Sequence, residues 1–175
     1  MTLRTRWIQP VFYAALGLAV AVPGSAAAQP PAAPDLGNLN DVTDQYLGPI
    51  PNNPGPVSLF STSTGLNCSI SNADNGLAHC TGALPGLAGI PAAPGAGACN
   101  LGLAQVFAGH AGTISHYKGD CPSAPPASRV LAAGEKVFSG GTTCGVTPLG
   151  VLACINNANN TSHGFVLQQS GSWAF

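Results

Sequence analysis

Six cysteines downstream of a secretory leader set the strongest limit on what this chain can fold into. They stand at Cys68, Cys80, Cys99, Cys121, Cys144 and Cys154. The count is even, and in an oxidising compartment such thiols become disulfides rather than metal ligands or nucleophiles. Six cysteines allow many connectivities. Successive local pairing is the simplest of them, giving Cys68–Cys80, Cys99–Cys121 and Cys144–Cys154.

The leader is read from three consecutive features. Arg4 and Arg6 make a short basic start, an apolar run extends from Val11 to Val22, and a small-residue stretch covers Gly24 to Ala28. Ala26 and Ala28 satisfy the A-x-A pattern, so cleavage is expected after Ala28. The apolar run is shorter than the ~20 residues a membrane span needs, which favours a signal peptide over an anchor. No cysteine lies near the cut, and no second run of spanning length follows.

Cleavage removes Arg4 and Arg6, leaving Lys118, Arg129 and Lys136 against six acidic residues, a net charge of −3 with histidines neutral. This is no footprint of a nucleic-acid binder, and it does not favour an anionic membrane surface. Only 6% of residues are charged, against about a quarter in typical proteins, so Gly, Ser, Thr and Asn must keep the surface wet.

Residues 29–56 are rich in Pro, Asn and Asp, as in Gln29-Pro-Pro-Ala-Ala-Pro34 and Gly48-Pro-Ile-Pro-Asn-Asn-Pro-Gly-Pro56. Prolines lack a backbone donor and bias the chain to extended conformations, so this part is expected to be a disordered spacer. A turn of helix is expected within Leu36 to Leu47. Residues 57–175 have the length of one domain.

Strand signals dominate that domain. Val57 to Phe60 and Leu66 to Ile70 alternate apolar with polar, Asp74-Asn75-Gly76 is a turn sequence, and Leu77 to Cys80 returns. Lys136 to Phe138, Thr143 to Val146, the turn Pro148-Leu-Gly150 and Val151 to Cys154 repeat the plan. Phe60…Cys68…Cys80 and Phe138…Cys144…Cys154 thus form a degenerate internal repeat. Leu101 to Ala108 and Thr113 to Tyr117 pair across Gly109 to Gly112, and Gly164 to Leu167 and Trp173 to Phe175 add strands. The expected fold is mainly β: a small, disulfide-stapled, antiparallel sheet or barrel-like domain behind a signal peptide and a Pro-rich spacer.

The motifs Phe60-Ser-Thr-Ser-Thr-Gly65 before Cys68, the Gly76 and Gly150 returns to cysteine, and the ending Asn156…His163-Gly-Phe-Val-Leu167…Phe175 have a common likeness. Over residues 57–175 the chain resembles an actinobacterial, mycobacterial-type family of secreted six-cysteine proteins of unknown function. It departs from that pattern at Gly150-Val-Leu-Ala-Cys154, with one extra residue, at Ser162, and at Gly119-Asp120 before Cys121. The resemblance implies export and disulfides and assigns no activity, cofactor or catalytic residue.

Candidate chemistry is thin. Ser115-His116 with Asp120 offers the residue types of a hydrolytic triad, yet neighbours on a strand point to opposite faces, and no Gly-x-Ser-x-Gly elbow occurs. His79, His110, His116 and His163 lack metal-ligand spacing, so neither a metal nor a cofactor is expected. Asp74, Asp120 and Glu135 are too few and too scattered for a carboxylate pair. The polar loop Asn156 to Ser162, opening onto His163, is the best candidate for function, and Asn159, His163 and Tyr117 are the residues singled out. Strand alternation favours a core role for Phe107, Phe165 and Trp173. The expected function is a monomeric, secreted or envelope-associated, non-enzymatic module that binds a protein or a cell-wall glycan. The alternatives are a small extracellular hydrolase using His116 or His163, and an inhibitor presenting the loop Leu84 to Ala98.

Overall fold

The structure is a computed structural model, and it describes residues 31–48, 57–72, 75–92, 99–118 and 129–175. The expected signal peptide, Asp74, Asp120 and Cys121 lie outside the described residues. The strands are β1 (Asn40–Asp41), β2 (Leu47–Gly48), β3 (Val57–Ser61), β4 (Asn67–Ser71), β5 (Leu77–Gly82), β6 (Gly102–Phe107), β7 (His110–His116), β8 (Glu135–Ser139), β9 (Thr142–Val146), β10 (Leu152–Asn156), β11 (His163–Leu167) and β12 (Trp173–Ala174). They form two six-stranded sheets, in the orders β2-β3-β4-β5-β6-β7 and β1-β8-β9-β10-β11-β12. Every pairing within the sheets is antiparallel except the parallel pair β1–β8. Among the described residues no helix is long and apolar enough to cross a membrane.

The Cys68–Cys80 and Cys144–Cys154 disulfides each sit in the middle of a buried cross-strand row. In the first sheet Phe60, Cys68, Cys80, Ala104 and Ile114 lie side by side across β3 to β7. In the second, Val137, Cys144, Cys154, Phe165 and Ala174 do the same across β8 to β12. Both rows belong to one core cluster, so the two inner faces pack on each other with the disulfides between them. The pairs Cys68–Cys80 and Cys144–Cys154 are formed as spacing predicts, with Cα separations of 4.1 and 4.0 Å. Cys99 is also disulfide-bonded. Closing each short loop limits the unfolded chain and stabilises the fold by ~3 kcal/mol.

The internal repeat is present as two meanders, each stapled between its second and third long strands. Its register is corrected by one residue. Phe60 stands beside Cys68, but the residue beside Cys144 is Val137, and Phe138 points outward, 48% exposed. The reason is turn length. A tight Gly140-Gly141 turn, with φ of +57° and +90°, joins β8 to β9, whereas residues 62–66 join β3 to β4.

Of the Pro-rich segment, residues 31–48 are described and carry packing contacts. Leu36, Val42 and Tyr46 are buried, and residues 31–39 lie over the outer face of the second sheet. There Leu36 and Leu39 pack with Ala153, Val166 and Trp173. Lys136 Nζ donates to the carbonyls of Leu36 and Gly37 at 3.2 and 2.8 Å, and Tyr46 Oη donates to Val130 O at 2.8 Å. Three apolar side chains among prolines suffice for docking, although they vanish in an average over the segment. The expected helical turn is a 3-10 turn at Thr43–Gln45. Asp41 opens it by accepting from the Thr43 hydroxyl and amide, and these bonds hold its carboxyl below the usual range.

Backbone hydrogen bonds also tie the first sheet to residues 129–131 and to Phe175. Ser61 bridges Val130, with Ser61 N donating to Arg129 O and Leu131 N to Ser61 O. Gly112 N of β7 and Gly164 N of β11 both donate to Phe175 O at 2.9 Å.

Candidate functional site: an aromatic and amide ledge

The β6–β7 hairpin ends in Ala108-Gly109, with Gly109 at φ +74°, tighter than the expected Gly109 to Gly112 connection. Its register slips by one residue between Gln105 and Phe107. Gln105 faces Thr113, and an even ladder would set Phe107 against Ala111. The slip leaves Val106 opposite both Ala111 and Gly112 and sets Phe107 against His110. The two rings then stack at a centroid separation of 4.0 Å, inclined by 28°. Phe107 is 36% exposed and His110 is exposed, so the stack stands at the surface rather than in the core, with each ring covering the other's inner face and the outer faces left as the plate. His110 Nδ1 donates to Ala108 O at 3.0 Å, which leaves Nε2 as an acceptor in the neutral ring.

The polar loop lies against this hairpin. A Cβ at Gly112 would overlap the Gly164 carbonyl, so only glycine lets β7 approach β11 this closely. A Cβ at Gly109 would lie 3.5 Å from Asn159 Nδ2. Residues 157–161 are fixed from beneath by buried Asn156. Its Oδ1 accepts from Ala158 N at 2.9 Å, and its Nδ2 donates to Thr142 Oγ1 at 2.7 Å. Thr142 in turn donates to Gly76 O, in the turn of the opposite sheet. Asn157 N donates to Gly141 O, and Thr161 Oγ1 to Ala158 O. Asn159 and Asn160 adopt φ of +61° and +57°, a region asparagine tolerates better than other side chains. Both are exposed, and their amides make no hydrogen bond to a described residue.

The fold therefore sets Asn159 beside Gly109 at the hairpin turn, while His163 opens β11 opposite Asn156. Tyr117 sits apart, beyond the other end of β7, where its amide donates to Leu101 O. Ser115 and His116 lie on the same strand; His116 Nε2 donates to Ile90 O at 2.7 Å. His79 is half-buried on β5, with Ser69 Oγ 3.3 Å from its ring, and burial lowers its pKa. Glu135 accepts from Ala132 N. Among the described residues no three metal-ligating side chains converge. Phe165 is core and Trp173 is half-buried, whereas Phe107 leaves the core assignment that alternation gives it. Leu84 and Leu87 of the Leu84 to Ala98 loop are anchored in the core, and 93–98 lie outside the described residues.

Compared with known proteins, the chain matches no family model, no curated protein and no solved structure. The Phe107–His110 stack is the feature that sequence reasoning missed. The available signal was an aromatic and a histidine flanking a glycine-bearing turn, and it needed the register slip to become a site.

Proposed function

We propose that this chain is an exported, non-enzymatic binding module that uses the Phe107–His110–Asn159–Asn160 ledge to hold a cell-wall glycan or wall protein. One observation carries the reading: an exposed aromatic stack with Asn159 beside its turn, where the side-chain amides of Asn159 and the adjoining Asn160 make no hydrogen bond to a described residue. Aromatic and amide groups of this kind supply contact area and orienting hydrogen bonds at low ordering cost. The disulfides and the leader support export to the envelope or medium. A mature charge of −3 argues against nucleic acid as the partner. Monomeric behaviour is expected.

The test is retention of the mature protein on insoluble cell-wall material, compared with Phe107→Ala and with Asn159→Gly, which keeps the backbone conformation. The expected result is strong retention, reduced by each substitution without change in melting temperature. Retention unaffected by both substitutions, or none in the unaltered protein, would overturn the proposal.

A further inference from the structure

We infer that the ledge takes a neutral, pyranose-based polysaccharide and reads it along the chain rather than at an end. The inference rests on the binding reading above and names its ligand class. An aromatic face carries the negative lobe of the ring quadrupole and attracts polarised C–H groups, which a pyranose ring presents in a flat array. In the Phe107–His110 stack each ring covers the other's inner face, so the surface available to a sugar is an outer ring face.

The polar groups here match hydroxyls. Asn159 beside Gly109 and Asn160 next to it in the chain each bring a donor and an acceptor, and His110 Nε2 adds an acceptor. A hydroxyl both donates and accepts, so it can satisfy this mixed set. Charge excludes acidic or basic ligands as the natural fit. No Asp, Glu, Lys or Arg occurs on the β6–β7 hairpin or in the 157–163 loop, and Lys118 lies beyond the far end of β7. Phe107, His110, Asn159 and Asn160 are all exposed among the described residues, a surface that can accept the middle of a sugar chain. The loop is already fixed by Asn156, so ligand contact need not order it.

The test is an amide chemical-shift titration of the mature, disulfide-intact protein. The probes are a neutral β-linked glucan hexasaccharide, a neutral galactan oligosaccharide, a galacturonate oligosaccharide and an unstructured Ser/Gly/Asn-rich peptide. Shifts at Phe107, Gly109, Asn159 and Asn160 with a neutral sugar are expected, and Phe107→Ala should weaken binding at least about tenfold. Asn159→Gly should weaken it with the fold retained. If only the peptide moves those amides, the ledge is a binding site but the glycan assignment fails. A preference for galacturonate overturns neutrality in the same way. If no probe moves the ledge, or all shifts fall elsewhere, the glycan assignment fails; the cell-wall retention test then decides the binding reading separately.

Discussion

Gly112→Ala tests the contact that builds the ledge. A Cβ at residue 112 would lie 2.6 Å from the Gly164 carbonyl carbon and overlap its oxygen. Both partners are backbone, so no flexible side chain can swing away. β7 must retreat from β11, and the Gly112 N–H bond to Phe175 O is strained or lost. Overpacking of this kind costs ~1–3 kcal/mol, and a lost hydrogen bond adds ~1 kcal/mol. The total of ~2–4 kcal/mol is a large share of a stability of ~5–15 kcal/mol. For a domain of this size it lowers the melting temperature by roughly 6–16 °C. The assay is thermal unfolding followed by near-ultraviolet circular dichroism, with the disulfides intact. Gly89→Ala is the control, because a Cβ there meets nothing within 4 Å. A Gly112→Ala melting point within about 2 °C of the unaltered protein would refute the close approach.

Thr142→Val removes the hydroxyl that joins Gly76 O to Asn156 Nδ2 and leaves both buried groups short of a partner. Urea unfolding should show a loss of ~2–3 kcal/mol. Leu36→Ala empties the contact between the 31–39 segment and Ala153 and Val166. A cost near ~2 kcal/mol is expected, with faster proteolytic cutting N-terminal to β1. Burial lowers the His79 pKa in the folded state, so the unfolded chain binds that proton more readily. Stability should therefore fall as pH drops through about 6.5 and towards the lower folded value, and His79→Gln should flatten that part of the pH profile.

The strands were legible because alternation and turn residues mark them directly. Leu77 to Cys80 and Gly164 to Leu167 need no tertiary information. The two stapled hairpins were legible because cysteines at a separation of 10 or 12 residues with a turn between them become cross-strand neighbours. The docking of 31–48 was not, since three apolar side chains are hidden by the prolines around them. Pairing Phe138 with Phe60 failed because register depends on turn geometry, and Gly140-Gly141 shortens the second turn. Loop composition pointed to Asn159 and His163. The Phe107–His110 stack was not legible, because a one-residue slip decides which ring faces which.

Hydrogen exchange of the mature protein, with and without soluble cell-wall polysaccharide, tests the ledge most directly. Protection confined to the amides of residues 107–112 and 157–163 is the expected result. Protection centred on the 31–39 segment, on Tyr117, or on no part of the fold would contradict it.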